Sequence, residues 1–112
     1  MRKYGNQLWV EKTHRGYFVG MTKSLQCDAG DISYANIAPL GEIQVDDTLV
    51  NLEASKAAIE VPSPLAGVVV ARNEAAEKDP SLLDEKEMTS HWLVLLHQVD
   101  EAAFAALSDE EI

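Results

Sequence analysis

A mainly β domain, a sandwich or flattened barrel with short helices near an N-terminal hairpin and at the C-terminal end, is the fold the sequence predicts. Three observations lead there. Short runs of apolar, β-branched and aromatic residues alternate with polar ones. Turn signals built from Gly, Pro and Asp interrupt these runs after roughly every six to twelve residues. The hydrophobic fraction of 46% is enough for a packed core, and the 112 residues suit one domain, spanning 1–112.

The elements follow in order. Leu8 to Glu11 and Tyr17-Phe18-Val19 are two β-prone runs around Thr13-His14-Arg15-Gly16, a hairpin signal. Thr22 to Gly30 predicts a short helix, with Thr22 as its N-cap and Gly30 in the left-handed position that ends it. Ile32, Tyr34 and Asn36 alternate with Ser33 and Ala35, a strand with one apolar face. Ile43 and Val45 alternate with Glu42 and Gln44 before Asp46-Asp47 turns the chain. Thr48 to Glu53 puts Val50 and Leu52 on one face, and Ala57 to Val61 puts Ile59 and Val61 on one face. The two runs flank Ala54-Ser55-Lys56 as a second hairpin. Leu65 to Val70 reads as a buried strand. Asp79-Pro80 opens a helical turn, since proline at the first helical position loses only an N–H that has no partner there. Trp92 to Leu96 is the last core strand. Asp100 caps a short tail helix with Phe104 and Leu107 on one face. Pro39-Leu40-Gly41 and Pro64-Leu65-Ala66-Gly67 are similar turns that each precede a strand, a hint of internal two-fold structure.

Composition narrows the function. Nine Lys and Arg against nineteen Asp and Glu give a net charge of −10. Nucleic acid and anionic membranes both demand the opposite sign. No apolar run is long enough to span a bilayer, and Met-Arg-Lys-Tyr-Gly-Asn carries no secretory segment. A soluble, cytoplasmic protein is expected, in keeping with Cys27 as the only cysteine. Cys27, His14, His91 and His97 show no metal-ligand spacing, so no metal is expected. There is no Gly-x-Ser-x-Gly elbow and no phosphate-binding glycine loop, and the carboxylates are scattered through turns and the tail. The chain offers no catalytic constellation and is expected not to be an enzyme.

One segment stands out. Lys56 lies between two β runs with small neighbours, Ser55 and Ala57, which leave room for another protein to reach its amine. By itself this better describes an ordinary surface lysine at a turn. Glu53-Ala54-Ser55-Lys56-Ala57 resembles the lipoylation motif of glycine cleavage system H proteins: Glu, two residues, Lys, Ala. The likeness extends downstream through Ser63-Pro64-Leu65-Ala66-Gly67, Asn73-Glu74, Asp79-Pro80-Ser81-Leu82-Leu83 and Trp92-Leu93. Upstream it takes in Trp9-Val10, Gly20-Met21-Thr22, Leu25 and Gly30-Asp31-Ile32, so it covers essentially the whole chain. The resemblance implies a lipoyl/biotinyl-type barrel-sandwich hybrid. It also implies lipoic acid attached to Lys56, with Glu53 and Ala57 in the turn read by a lipoate ligase or lipoyl transferase. In that family, glycine decarboxylase loads an aminomethyl group on the arm. A folate-dependent aminomethyltransferase removes it, and dihydrolipoamide dehydrogenase reoxidises the dithiol.

The match departs at two places. H proteins that carry aminomethyl have Ser-His-Glu-Trp at the first strand, where the glutamate helps hold the cationic amine in a surface cleft. Here the residues are Asn6, Gln7, Leu8 and Trp9. Leu8 cannot pair with an ammonium group and would present it an apolar wall. The glycine before the late tryptophan is replaced by His91. These departures look more like the glycine cleavage H-like proteins of some bacteria. That likeness implies a lipoate relay or an oxidative-stress role, with a macrodomain-linked sirtuin and a macrodomain protein as partners. It also marks Asp28 as a candidate ADP-ribosylation site.

Overall fold

The computed structural model describes residues 1–111; Ile112, the last residue of the expected domain, lies outside the described residues. Among the described residues nine strands form two antiparallel sheets. The larger has the order β1-β2-β3-β9-β8-β5, made by Arg2–Gly5, Leu8–Thr13, Gly16–Met21, Trp92–His97, Gly67–Arg72 and Gly41–Ile43. The smaller has β6 at its centre (Thr48–Ala54), flanked by β4 (Ile32–Ile37) and β7 (Ala58–Pro62). Leu8, Val10, Val19, Leu93 and Leu96 of the first sheet and Ile37, Val50, Leu52 and Val61 of the second join one buried cluster. Burying both inner faces in one core is what makes this a sandwich. The mainly β barrel-sandwich expected from the sequence is the fold observed.

Local signals were read correctly where they rest on a few adjacent residues. Helix α1 spans Lys23–Ala29; the Thr22 hydroxyl accepts from Leu25 N at 3.2 Å, and Gly30 closes the helix at φ 77°. The Pro80–Asp84 stretch is a single 3-10 turn capped by Asp79, whose carboxylate accepts from Ser81 N. The tail helix spans Glu101–Ala105, with Asp100 accepting from Ala102 N and Phe104 buried. Strand β5, which follows Pro39-Leu40-Gly41, pairs antiparallel with β8, which follows Pro64-Leu65-Ala66-Gly67; Gly41 lies opposite Val69 and Ile43 opposite Gly67.

Three expectations are corrected and three elements are added. Tyr34 and Asn36 do not share an inward face with Ile32. The register slips between Ile32 and Tyr34, so Ala35 and Ile37 point inward and Tyr34 is exposed. An extra residue in one strand moves every later side chain to the other face. Val45 is exposed because β5 stops at Ile43, where Gln44 N bonds the Asp47 carboxylate and Asp46 turns at φ 72°. Strand β8 is only half-buried: Val69 is inside and Val70 outside, with a register shift between Val69 and Ala71. Strand β1 and the helices α2 (Glu74–Lys78) and α3 (Met88–His91) have no periodic signal and were not foreseen. Strand β1 exists because β2 pairs with it and because Glu11 takes hydrogen bonds from Arg2 and the Met1 amine, each at 3.0 Å.

Candidate functional site

Strands β6 and β7 make the hairpin, with Glu53 opposite Ala58 and the turn closed by Ala54 N donating to Ala57 O at 3.0 Å. Lys56 stands exposed at its tip, and Glu53 and Ala57 are exposed beside it. The structure thus brings the three sequence-predicted residues of the turn together on one surface. Glu53 offers its carboxylate to solvent, while its carbonyl accepts from the Ser33 hydroxyl at 3.0 Å.

The tip does not hang free. It is seated on the C-terminal end of α1. Lys56 N donates to Ala29 O at 3.1 Å, and Ser55 N donates to Asp31 O at 2.9 Å. Asp31 N returns a bond to the Ser55 hydroxyl at 3.0 Å. The lysine's own Nζ donates to the Cys27 carbonyl at 3.1 Å. Gly30 makes this approach possible: a Cβ there would fall 2.4 Å from the Ser55 hydroxyl, and its φ of 77° suits glycine.

Beside the tip lies an open cleft of about 650 Å³, with Trp9, Met21, Gln26, Cys27, Lys56 and His91 on its wall. Gln26 ties α1 to the end of the 3-10 turn and the residue after it, donating to the carbonyls of Leu83 (2.7 Å) and Glu85 (2.9 Å). The cleft also carries carboxylates. Burial pushes the Asp84 carboxyl above its ordinary range, partly offset by a bond from Ile32 N. Asp31 lines the same space.

Two side chains buried at the cleft wall form a pair that sequence reading missed. Trp9 Nε1 donates to His91 Nε2 at 2.9 Å, and His91 Nδ1 lies 2.8 Å from the Glu85 carbonyl. A carbonyl only accepts, so Nδ1 carries the proton, Nε2 is the acceptor, and the imidazole is neutral. Burial pushes the His91 pKa down against the effect of the Glu85 bond. The indole lies over Gly20, directly opposite Trp9 in the ladder; a Cβ at Gly20 would sit 2.2 Å from the ring. The exchange of glycine for histidine at 91 was visible in the sequence, but its partner was not.

Leu8 requires a correction. It does not wall the cleft: its side chain is fully buried in the core on the inner face of β2. Asp28 is exposed on α1, and its carboxylate accepts from Gln7 Nε2 at 2.9 Å. Cys27 is a free, exposed cysteine. Among the described residues no group of His, Cys, Asp or Glu has the arrangement of a metal site, and no helix is long and apolar enough to cross a membrane.

A barrel-sandwich with an exposed lysine at a hairpin tip beside an open cleft has the build of a carrier domain. Such a domain positions a covalently held group whose reactivity is the cofactor's own. The chain belongs to the glycine cleavage H-protein family, whose model matches residues 2–112. It is 41% identical over 109 residues to a glycine cleavage system H-like protein of Staphylococcus aureus, covering 97% of this chain and 99% of that one. It is 30% identical over 113 residues to the glycine cleavage system H protein of Thermotoga maritima, covering 99% of this chain and 91% of that one. A crystal structure of a glycine cleavage system H protein from Mycobacterium marinum shares the fold, with a TM-score of 0.74 at 18% identity over 93% of this chain and 94% of that one. Proteins of this family are lipoyl carriers, bearing lipoate covalently on a lysine. They are carrier subunits rather than catalysts. Glycine cleavage H proteins interact with glycine decarboxylase, aminomethyltransferase and lipoamide dehydrogenase.

Proposed function

We propose that residues 1–112 form one carrier domain that bears lipoate on Lys56 and works as a glycine cleavage H-like protein in the cytoplasm. The observation that carries the assignment of the lysine is the seated hairpin tip. Lys56 is exposed, its amine touches only a backbone carbonyl, and it opens beside a cleft, so an amide forms there without displacing a packed side chain. Glu53 and Ala57, exposed on either side, are the surface a lipoate ligase or lipoyl transferase reads. Bound lipoate supplies a cyclic disulfide that exchanges with thiolates. The chain fixes the base of the arm on a rigid hairpin and leaves its far end mobile.

The H-like reading is supported by the greater identity to the Staphylococcus aureus H-like protein than to the Thermotoga maritima H protein. In this reading the domain relays lipoate and is a redox-linked target of a macrodomain-linked sirtuin with its macrodomain protein. Asp28, exposed on α1 next to Cys27, is the ADP-ribose acceptor. A second reading, an aminomethyl shuttle for the glycine cleavage enzymes, has one observation in its favour. Asp31, Asp84 and Glu111 give the cleft three carboxylates that can face an ammonium group.

Intact mass spectrometry after incubation with lipoate, ATP and a lipoate ligase tests the site: wild type gains one lipoyl group and Lys56→Arg gains none. Attachment to the Arg variant refutes the assignment. Adding glycine and glycine decarboxylase to the lipoylated protein then separates the two readings. A further gain of one aminomethyl group establishes the shuttle, and its absence with full lipoylation supports the relay.

A further inference from the structure

The lysine's presentation is decided outside its own hairpin. Four hydrogen bonds join residues 27–31 to residues 55 and 56, and only one of them, from Asp31 N to the Ser55 hydroxyl, depends on a side chain other than the lysine's own. That hydroxyl is also the group that Gly30 makes room for, at a position where any Cβ would collide with it. The sequence around the tip gives no local reason for a fixed conformation: Ser55, Lys56 and Ala57 are all exposed and none packs into the core. Without the α1 contacts, the tip would sample many conformations, and a modifying enzyme would meet the competent one only part of the time.

We infer that Ser55 is a positioning residue for lipoylation, locking the hairpin tip onto the α1 terminus so that residues 27–31 and the lysine turn are read as one composite surface. The inference rests on Lys56 being the modified lysine. Ser55 need not touch lipoate or the attacked carbonyl. It acts through the conformation of Lys56, by holding Asp31 N and with it the backbone bonds of Ser55 and Lys56. The bond is solvent-exposed, so water replaces it in part when the hydroxyl is removed, and the overall fold loses little. What changes is the fraction of molecules with a docked tip. A fall in that fraction raises the apparent KM for the carrier in the same proportion and leaves the intrinsic step unchanged.

The test compares Ser55→Ala and Ser55→Thr with the wild-type chain, using lipoate ligase, lipoate and ATP. Ser55→Ala is expected to raise the KM for the carrier, by at most about fivefold, the limit set by losing one exposed hydrogen bond from the docking equilibrium, with kcat and the KM values for lipoate and ATP unchanged. Ser55→Thr, which keeps a hydroxyl, restores the wild-type KM. Hydrogen exchange supplies a readout independent of the enzyme: the Ser55 and Lys56 amides exchange faster in Ser55→Ala and return to the wild-type rate in Ser55→Thr. Thermal midpoints of the three proteins agree closely. Wild-type KM and exchange in Ser55→Ala overturn the inference. So does an impairment that threonine does not relieve, or one that follows a global loss of stability. Lipoylation of Lys56→Arg at another lysine would overturn the site assignment, while the exchange measurement would still decide whether Ser55 docks the tip.

Discussion

Replacing Gly20 by alanine tests the construction of the cleft wall. The added Cβ would lie 2.2 Å from Trp9 Cζ2 and 2.8 Å from Trp9 Nε1, and Trp9 is only 3% exposed. The indole therefore has to move, and it moves away from the 2.9 Å bond to His91. Overpacking of a tight contact costs about 1–3 kcal/mol. Loss of the hydrogen bond, with the imidazole acceptor left buried, adds about 1 kcal/mol. The sum is about 3 kcal/mol, which for a chain of this size lowers the thermal midpoint by about 12 °C. Thermal and urea unfolding, followed by circular dichroism, measure it. A second variant makes the reasoning specific: Trp9→Phe removes the part of the ring that the Cβ strikes. In that background Gly20→Ala should cost less than about 1 kcal/mol, a coupling of about 2 kcal/mol between the two sites. Additive effects, or a loss under about 0.5 kcal/mol in the wild-type background, would refute the proposed collision.

Other variants probe other parts of the same build. His91 is buried as the neutral tautomer with its pKa held down, so the unfolded chain takes up a proton first as the pH falls. Its share of stability is therefore complete above about pH 6.5 and is lost as the pH falls through the lower folded value. Urea midpoints of wild type and His91→Gln between about pH 7.5 and 5 should converge toward acid, and parallel curves would contradict the assignment. Thr22→Ala removes an acceptor for Leu25 N and a donor to Gln7 O, at 3.2 and 2.8 Å; it should cost about 1–2 kcal/mol in urea unfolding, most of it recovered by Thr22→Ser. Leu8→Glu should destabilise by about 4 kcal/mol or more, because it empties a core position and buries a carboxylate there. A stable Leu8→Glu protein that gained glycine-dependent loading would mean that position 8 faces the cleft after all.

The parts of the molecule legible in the sequence share a length scale. Thr22, Asp79 and Asp100 each cap a turn whose bonded amide lies two or three residues away, so each was recognisable from neighbouring residues alone. The Lys56 hairpin was legible for the same reason, since its two strands pair across a short turn. Tyr34 shows where this legibility ends. Alternation across Ile32, Tyr34 and Asn36 assumes an unbroken pleat, but β6 forces a slip at Ser33, and nothing in residues 32–36 records where its partner strand will sit. Strand β1 is a related case, a charged tetrapeptide that becomes a strand because β2 has an open edge.

The sequence by itself determined a small β domain with a reachable lysine at a turn, because periodicity and caps are properties of adjacent residues, carried by local sterics and local hydrogen bonds; that the domain is a carrier came from the likeness of its motifs to a known family. Only the tertiary structure decided how that lysine is held and what surrounds it. Lys56 Nζ meets a carbonyl 29 positions away, the Ser55 hydroxyl an amide 24 positions away, and the Trp9 indole a histidine 82 positions away. Each of these contacts joins two segments distant in the chain that meet only when the sheets close over a common core, so no window of neighbouring residues contains both partners.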